Sequence, residues 1–242
     1  MKHNSVYDTR FFFSTAPMPC PYLENQWEKR IVTELIGKSA VKLHDQLSDA
    51  GFRRSHNIIY APVCQSCHAC IAVRVQAANF TPSRTQLRVE RQNRQLQASI
   101  IPAIATPEQY TLFHNYQLFR HQDGEMSKMD YDDYRALVEE SPVETSLVEF
   151  RKQDETLVAV CLLDHLSNGV SAVYSFFDTG MTKQSLGTYM ILWMIRHVQS
   201  LSRPYVYLGY WIKDCQNMTY KSSFRPLEMR KPNGWTLMDN SE

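Results

Sequence analysis

Apolar and polar positions alternate with a period that changes along the chain. Leu43, Leu47 and Ala50 share one face of a helix, and Gly51 stops it. Two extended runs, 57–63 and 69–75, bracket three closely spaced cysteines and read as strand, knuckle, strand. Thr81-Pro82 or Ser83 then opens a helix to about Arg94. A short apolar strand at 99–104 ends at Thr106-Pro107, after which Tyr110, Phe113, Tyr116, Gln117 and Phe119 follow at helical spacing. The polar stretch 121–133 reads as an exposed loop, and a helix resumes over 134–140 until Pro142. Three strands come next, at 146–151, 156–164 and 169–177, joined at Gln153-Asp154 and Ser167-Asn168-Gly169. A long helix over 185–200, a strand over 205–212 and an extended segment near 224–230 complete the pattern. Pro17, Pro19 and Pro21 keep the segment around Cys20 out of helix. This order predicts a mixed α/β (α+β) chain with a boundary near 105, a smaller cysteine-containing N-terminal domain over 1–105 and an α/β unit over 106–242.

The 242 residues are 43% hydrophobic, enough for one large domain or two small ones sharing an interface. Lys and Arg number 26 against 25 Asp and Glu, so a polybasic coat is excluded and any nucleic-acid contact needs locally arranged charge. An aromatic content of 12% argues against a disordered chain. The longest apolar run, 189–195, falls far short of the ~20 residues of a membrane span. The opening MKHNSVYDTRFFF has neither the apolar core nor the small-residue cleavage site of a secretory signal. The expectation is a cytoplasmic protein with no membrane partner.

Four constellations carry candidate chemistry. Cys64, Cys67 and Cys70 are too tightly spaced for a disulfide framework, and three thiolates at that interval can face one centre. A fourth soft ligand would complete a tetrahedral site; Cys20 is the first choice, His68 and His56 the next. The same spacing opens bacterial iron–sulfur motifs, so zinc and a cluster both stay open, against the alternative of three ordinary cysteines in a turn. Cys161, inside LVAVCLL, reads as a small buried hydrophobe. Arg84, Arg88, Arg91 and Arg94 fall within roughly 120° of helical arc and can track a phosphate backbone. Glu90 lies off that stripe, and a solvated face is the competing reading.

The third constellation is Gln184-Ser-Leu-Gly187-Thr-Tyr189, at the start of the long helix, after the run Tyr174-Ser-Phe-Phe-Asp178. Free helix amides beside a glycine turn make an anion or carbonyl pocket. The turn resembles the pyrophosphate loop of acetyl-CoA-dependent acyltransferases, but Tyr189 stands where a small residue is expected and would crowd a pyrophosphate. The fourth is the aromatic strand YVYLGYWI at 205–212, with Lys213, Lys221 and Arg225 beyond it. Gly209 inside that strand signals a bulge or the close approach of another group.

Several segments together resemble a known family. PCPYL around Cys20, GFRRS and YAPVCQSCHACIAVRV within 51–75, RHQDGEM at 120–126, YSFFD, SLGTYMILW, YVYLGYWIK and YKSSFRPLE are similar to the bacterial aspartate/glutamate leucyltransferases, relatives of the eukaryotic arginyl-tRNA–protein transferases. The likeness runs through almost the whole chain in order. It implies an aminoacyl-tRNA–protein transferase of the N-degron pathway, which takes leucine from Leu-tRNA and attaches it to proteins beginning with Asp or Glu, marking them for degradation. It also implies an acetyltransferase-like (GNAT) C-terminal domain. The eukaryotic relatives carry a C-x-x-C pair in the N-terminal turn, associated with an iron–sulfur cluster. Here Leu23 stands at the second position, and the knuckle has three cysteines instead.

The implied chemistry is aminolysis of an activated ester, which needs alignment, oxyanion stabilisation and a proton relay but no covalent enzyme intermediate. Cys215 is therefore not assigned as a nucleophile. Tyr174 and Tyr210, at two strand ends facing the Gly187 turn, are the candidates for positioning and proton relay. Lys213, Lys221 and Arg225 are the candidates for the acceptor's carboxylate, and the four arginines for tRNA. The competing readings are a CoA-dependent N-acyltransferase and a non-enzymatic zinc-knuckle RNA-binding module.

Overall fold

The computed structural model describes residues 10–239. Most of the opening stretch read for a secretory signal lies outside them. The N-terminal part starts with β1 (Phe13–Ser14), β2 (Met18–Pro19), β3 (Trp27–Glu28) and β4 (Arg30–Glu34), then α1 (Ala40–Asp49), β5 (Arg53–Ser55) and β6 (Ile58–Pro62). β1, β4, β6 and β5 form a four-stranded antiparallel sheet in that order, and β2 pairs with β3. Leu43 and Leu47 of α1 pack on a small core of Leu35, Ala40, Ile59 and Val143.

The chain continues through β7 (Ile71–Gln76), α2 (Arg84–Gln92), β8 (Gln97–Pro102), α3 (Pro107–Arg120), α4 (Tyr131–Glu139), β9 (Thr145–Arg151), β10 (Leu157–Leu166) and β11 (Gly169–Phe177). It closes with α5 (Leu186–Ser200), β12 (Tyr205–Trp211), a single turn α6 (Gln216–Thr219), β13 (Leu227–Lys231) and β14 (Gly234–Leu237). Eight strands make one large sheet in the order β14-β13-β7-β12-β11-β10-β9-β8. β7 and β8 precede position 105, so this sheet draws on both sides of the expected boundary. The strand–knuckle–strand order is present as β6, the cysteine turn and β7, but the two strands do not pair: β6 joins the small sheet and β7 the large one, with the cysteine turn redirecting the chain between them.

β10 reads as a nearly unbroken apolar run because both faces of the sheet are covered. Cys161 and Leu163 face a core shared with Met190, Met194 and Val198 of α5, while Val160 and Leu162 face Phe113, Tyr134 and Leu137 of α3 and α4. The helices start where local chemistry favours it. Ser83 and Gln86 form a capping box at α2, and Thr106 with Gln109 forms another before Pro107 at α3.

Two ion pairs bind the N-terminal elements to the large sheet. Arg54 of β5 donates from Nε and Nη2 to the two carboxylate oxygens of Asp164 of β10, at 2.6 and 2.7 Å, and both side chains are buried. Arg74 of β7 reaches Glu228 at 2.6 Å and Asp49 at 2.7 Å while lying over the rings of Tyr205 and Trp235.

All neighbours in the large sheet are antiparallel except β11 and β12, which run parallel. Those two pair only at their beginnings, Gly169–Ser171 against Tyr205–Tyr207, and then part. The register slips at the same level on both sides, between Leu162 and Leu163 against β11 and between Tyr207 and Gly209 against β7. These bulges bend the strands apart and open a fork in the sheet.

Candidate active site

A cavity of about 850 Å³ occupies the fork. Its walls come from the diverging halves of β11 and β12, the start of α5, the end of α3 and the β5–β6 edge of the small sheet. Tyr174, Tyr210, Lys221 and Gly187 all line it, so four of the expected site residues meet in one place although up to 47 positions separate them. Lys213 and Arg225 do not line it. Lys213 is exposed beyond β12, and Arg225 turns its guanidinium onto the carbonyls of Ser222, Met238 and Asp239. A cation at the end of a strand can face either way, and sequence spacing alone does not choose.

The two tyrosines differ in what they can offer. Burial pushes both phenols above their ordinary range, so each stays a neutral hydrogen-bond group at neutral pH. Tyr210 donates its hydroxyl to the Tyr60 carbonyl at 3.2 Å. Tyr174 instead accepts a 2.6 Å hydrogen bond from Nε2 of the buried Gln117, which leaves its own proton to donate elsewhere. Lys221 is buried with its ammonium on the Tyr210 carbonyl. Burial first, and then the neighbouring Arg53 charge, bring its pKa down to about 7.

The start of α5 faces the cavity without a side-chain cap. Ser185 takes a left-handed conformation (φ 51°) and makes no capping hydrogen bond, so the first amides of α5 are not satisfied by a cap. Asn93, at the end of α2, donates to the Gln184 carbonyl at 2.7 Å and pins this turn. Tyr189 does not crowd it: the ring packs edge-on against Phe150, away from the cavity. Sequence reading missed three wall elements. Arg53 and Tyr60 belong to the small sheet, and His121 and Met126 come from the stretch read as an exposed loop.

The sequence itself places this geometry in a family. The description "Arginine-tRNA-protein transferase, N terminus" matches residues 18–88, and "Arginine-tRNA-protein transferase, C terminus" matches residues 108–231. An aspartate/glutamate leucyltransferase of Gluconacetobacter diazotrophicus is 48% identical over 99% of this chain and 92% of its own length. One from Paramagnetospirillum magneticum is 49% identical over 97% of this chain and 96% of its own length. The chain belongs to the arginine-tRNA-protein transferase family. Its fold is the acetyltransferase-like one: the crystal structure of FemX superposes with a TM-score of 0.50 over 80% of this chain and 66% of that chain, at 8% identity.

In this transferase the remaining expected residues divide. Arg84, Arg91 and Arg94 line an open groove of about 630 Å³ with Leu87 and Glu90, whereas Arg88 lies outside it. α2 ends at Gln92, so Arg94 leaves the helix, and Glu90 joins the groove wall, where it pairs with Arg196 at 3.0 Å. None of the four arginines makes an ion pair among the described residues. Cys20, Cys64, Cys67 and Cys70 line one cavity of about 110 Å³ together with His68, and all four are free thiols. His56 lies outside it. Burial, reinforced by the other three thiols, pushes Cys70 up to about 12. As arranged, however, no three His, Cys, Asp or Glu side chains among the described residues form a group that could hold a metal ion. The four thiols share this cavity, and Tyr22 forms a wall common to it and the fork. No helix among the described residues is long and apolar enough to cross a membrane.

Proposed function

We propose that this chain moves leucine from leucyl-tRNA to the α-amine of proteins beginning with Asp or Glu, the N-degron reaction. The observation that carries this reading is the fork between β11 and β12: a cavity with cations, a free phenolic proton and uncapped helix amides on its walls, in a chain nearly half identical to named leucyltransferases. The fork is large enough for an aminoacyl ester and a peptide N-terminus to meet. Holding them together in a reactive geometry supplies up to about 7–11 kcal/mol of the lowering of the barrier.

The step balances with no enzyme-bound intermediate. The neutral acceptor amine attacks the ester carbonyl, the new amide C–N bond forms, and the bond to the ribose oxygen breaks. One proton passes from the amine nitrogen to that oxygen. An α-amine with a pKa of ~7.7–8.0 is already partly neutral at pH 7. Tyr174 relays the proton, giving its own to the leaving oxygen while taking one from the nitrogen; Gln117 holds it in place. The first amides of α5, at Gly187 and Thr188 in the cavity wall and without a side-chain cap, are the oxyanion donors in this reading. Tyr210, already bonded to Tyr60, positions the cavity wall. The cysteine cavity takes no part in this step.

The arginine groove beside α2 is the tRNA surface in this reading. Arg84→Gln combined with Arg91→Gln is expected to raise KM for leucyl-tRNA and leave KM for the acceptor peptide unchanged. Each lost phosphate contact should lower the slope of log affinity against log salt by roughly 0.7–0.9. A filter-binding salt titration reads this directly, and an unchanged slope would make α2 a merely solvated face.

A further inference from the structure

We infer that Arg53, together with Lys221, forms the anion site that reads the side-chain carboxylate of the acceptor's first residue. This rests on the transfer reaction proposed above and names what sets its substrate class.

Arg53 belongs to β5 of the small sheet, yet its guanidinium lies inside the fork of the large one. Nη2 donates to the carbonyls of Ala172 at 2.8 Å and Val173 at 3.1 Å, just beyond the last pairing of β11 with β12. On the facing strand stands Gly209, with φ 74°, and a Cβ there would overlap the Arg53 guanidinium. Glycine weakens a strand interior, and two features call for it at 209: the positive φ and the cation beside it. This is the close approach that the sequence signalled.

That cation has no counter-charge. Arg30, Arg54, Arg74, Arg151 and Arg196 each hold a carboxylate, whereas Arg53 makes no ion pair among the described residues. Its near neighbour is a second cation, Lys221, itself only 9% exposed. The repulsion shows in Lys221, whose pKa is brought down to about 7 by burial and by Arg53. Of the cavity's wall residues Asp178 alone is acidic, and its Oδ1 accepts from the Gly180 amide at 2.8 Å. Arg53 and the protonated form of Lys221, which line one partly dry cavity, are stabilised by an anion placed between them.

The anion that fits is a carboxylate on a short side chain. Arg53 keeps unused N–H donors in the planar arrangement that matches carboxylate oxygens, and Lys221 adds a point charge. The open arginine groove on α2 is the place for tRNA phosphates. The base of the fork, walled by Tyr210 and Val173, admits an extended N-terminal residue. An Asn or Gln of the same shape would leave both cations unpaired.

The test is steady-state leucine transfer, with calorimetric binding of the acceptor peptide alone as a readout free of catalysis. Wild-type protein, leucyl-tRNA and peptides beginning with Asp or Asn are used first; no transfer to the Asp peptide would remove the proposed reaction itself. If transfer occurs, Arg53→Gln should raise KM and Kd for the Asp peptide roughly ten- to a hundredfold, the range for a lost charged hydrogen bond. KM for leucyl-tRNA should stay unchanged, and the preference for Asp over Asn should collapse. Arg53→Lys keeps a cation in the fork and covers the case in which Arg53→Gln fails to fold. It lacks the planar pair of donors, so its preference should fall by an intermediate amount. An undiminished Asp-over-Asn preference in Arg53→Lys overturns the inference. A raised KM for leucyl-tRNA with acceptor KM unchanged assigns the anion to tRNA and overturns it equally.

Discussion

Asp164→Ala should lower stability by about 3–5 kcal/mol, the usual cost of stranding one partner of a buried ion pair. For a chain of this size that corresponds to a melting temperature lower by roughly 6–20 °C. Asp164 is 0% exposed and receives Arg54 in a two-point clasp, Thr145 Oγ1 at 2.8 Å and His44 Nε2 at 3.3 Å. Its loss leaves the Arg54 guanidinium buried without charge compensation, at the junction of the small sheet with β10. The pair's pH dependence has a definite sign. Burial alone raises the Asp164 carboxyl, but hydrogen bonds from His44 and Arg54 and the Arg54 charge outweigh it and hold the pKa at about 2. A folded value below the unfolded ~3.9 gives a contribution fully present above pH ~3.9 and lost as pH falls through about 2. Urea unfolding across that window should show the loss in wild type and a flatter profile in Asp164→Ala. Joint replacement of Asp164 and Arg54 by leucine should recover much of the stability.

Lys221→Met should act in opposite directions on stability and function. The ammonium is buried beside Arg53, with Cys215 as the neighbour whose charge would favour it. Removing it should stabilise the fold, because the ammonium is buried without a carboxylate partner among the described residues. A folded pKa of about 7 lies below the ordinary 10.5, so the protonated lysine weakens the fold most at and below pH 7. That burden fades as pH rises toward 10.5, and the gap between variant and wild type should close with it. Transfer should fall at the same time, with the acceptor KM raised on the order of thirtyfold or more. Thermal melts at pH 6 and pH 9, run beside transfer assays, separate the two effects. A variant less stable than wild type at pH 6 would contradict this account of the buried charge.

The elements were legible wherever period and punctuation agreed. The capped helices α2 and α3, the meander β9–β11 and the helix α5 follow directly from Ser83, Thr106-Pro107 and the alternation of 146–177. The short strands β1 to β4 were not, because two-residue strands and the five residues of Arg30–Glu34 carry too little pattern to rise above a turn-rich segment. Pairing was less legible than elements. β6 and β7 are adjacent in sequence and lie in different sheets, a choice made by long-range partners such as β4 and β12. At the site, Tyr174, Tyr210, Gly187 and Lys221 were found from residue type next to strand ends and turns. Arg53 was hidden inside GFRRS, where its neighbour Arg54 is structural and nothing local distinguishes the two. The one signal was Gly209, whose missing side chain marks where Arg53 arrives from 156 residues away.

The central claim is leucine transfer to acidic N-termini, and one assay addresses it most directly. Purified protein is incubated separately with leucyl-tRNA and arginyl-tRNA and with peptides beginning with Asp, Glu, Asn or N-acetyl-Asp, and the products are weighed by mass spectrometry. The predicted result is a single leucine added to the Asp and Glu peptides from leucyl-tRNA alone, with the Asn and acetylated peptides unchanged. Peptides left unmodified by leucyl-tRNA, or modified without regard to the first residue, would contradict it.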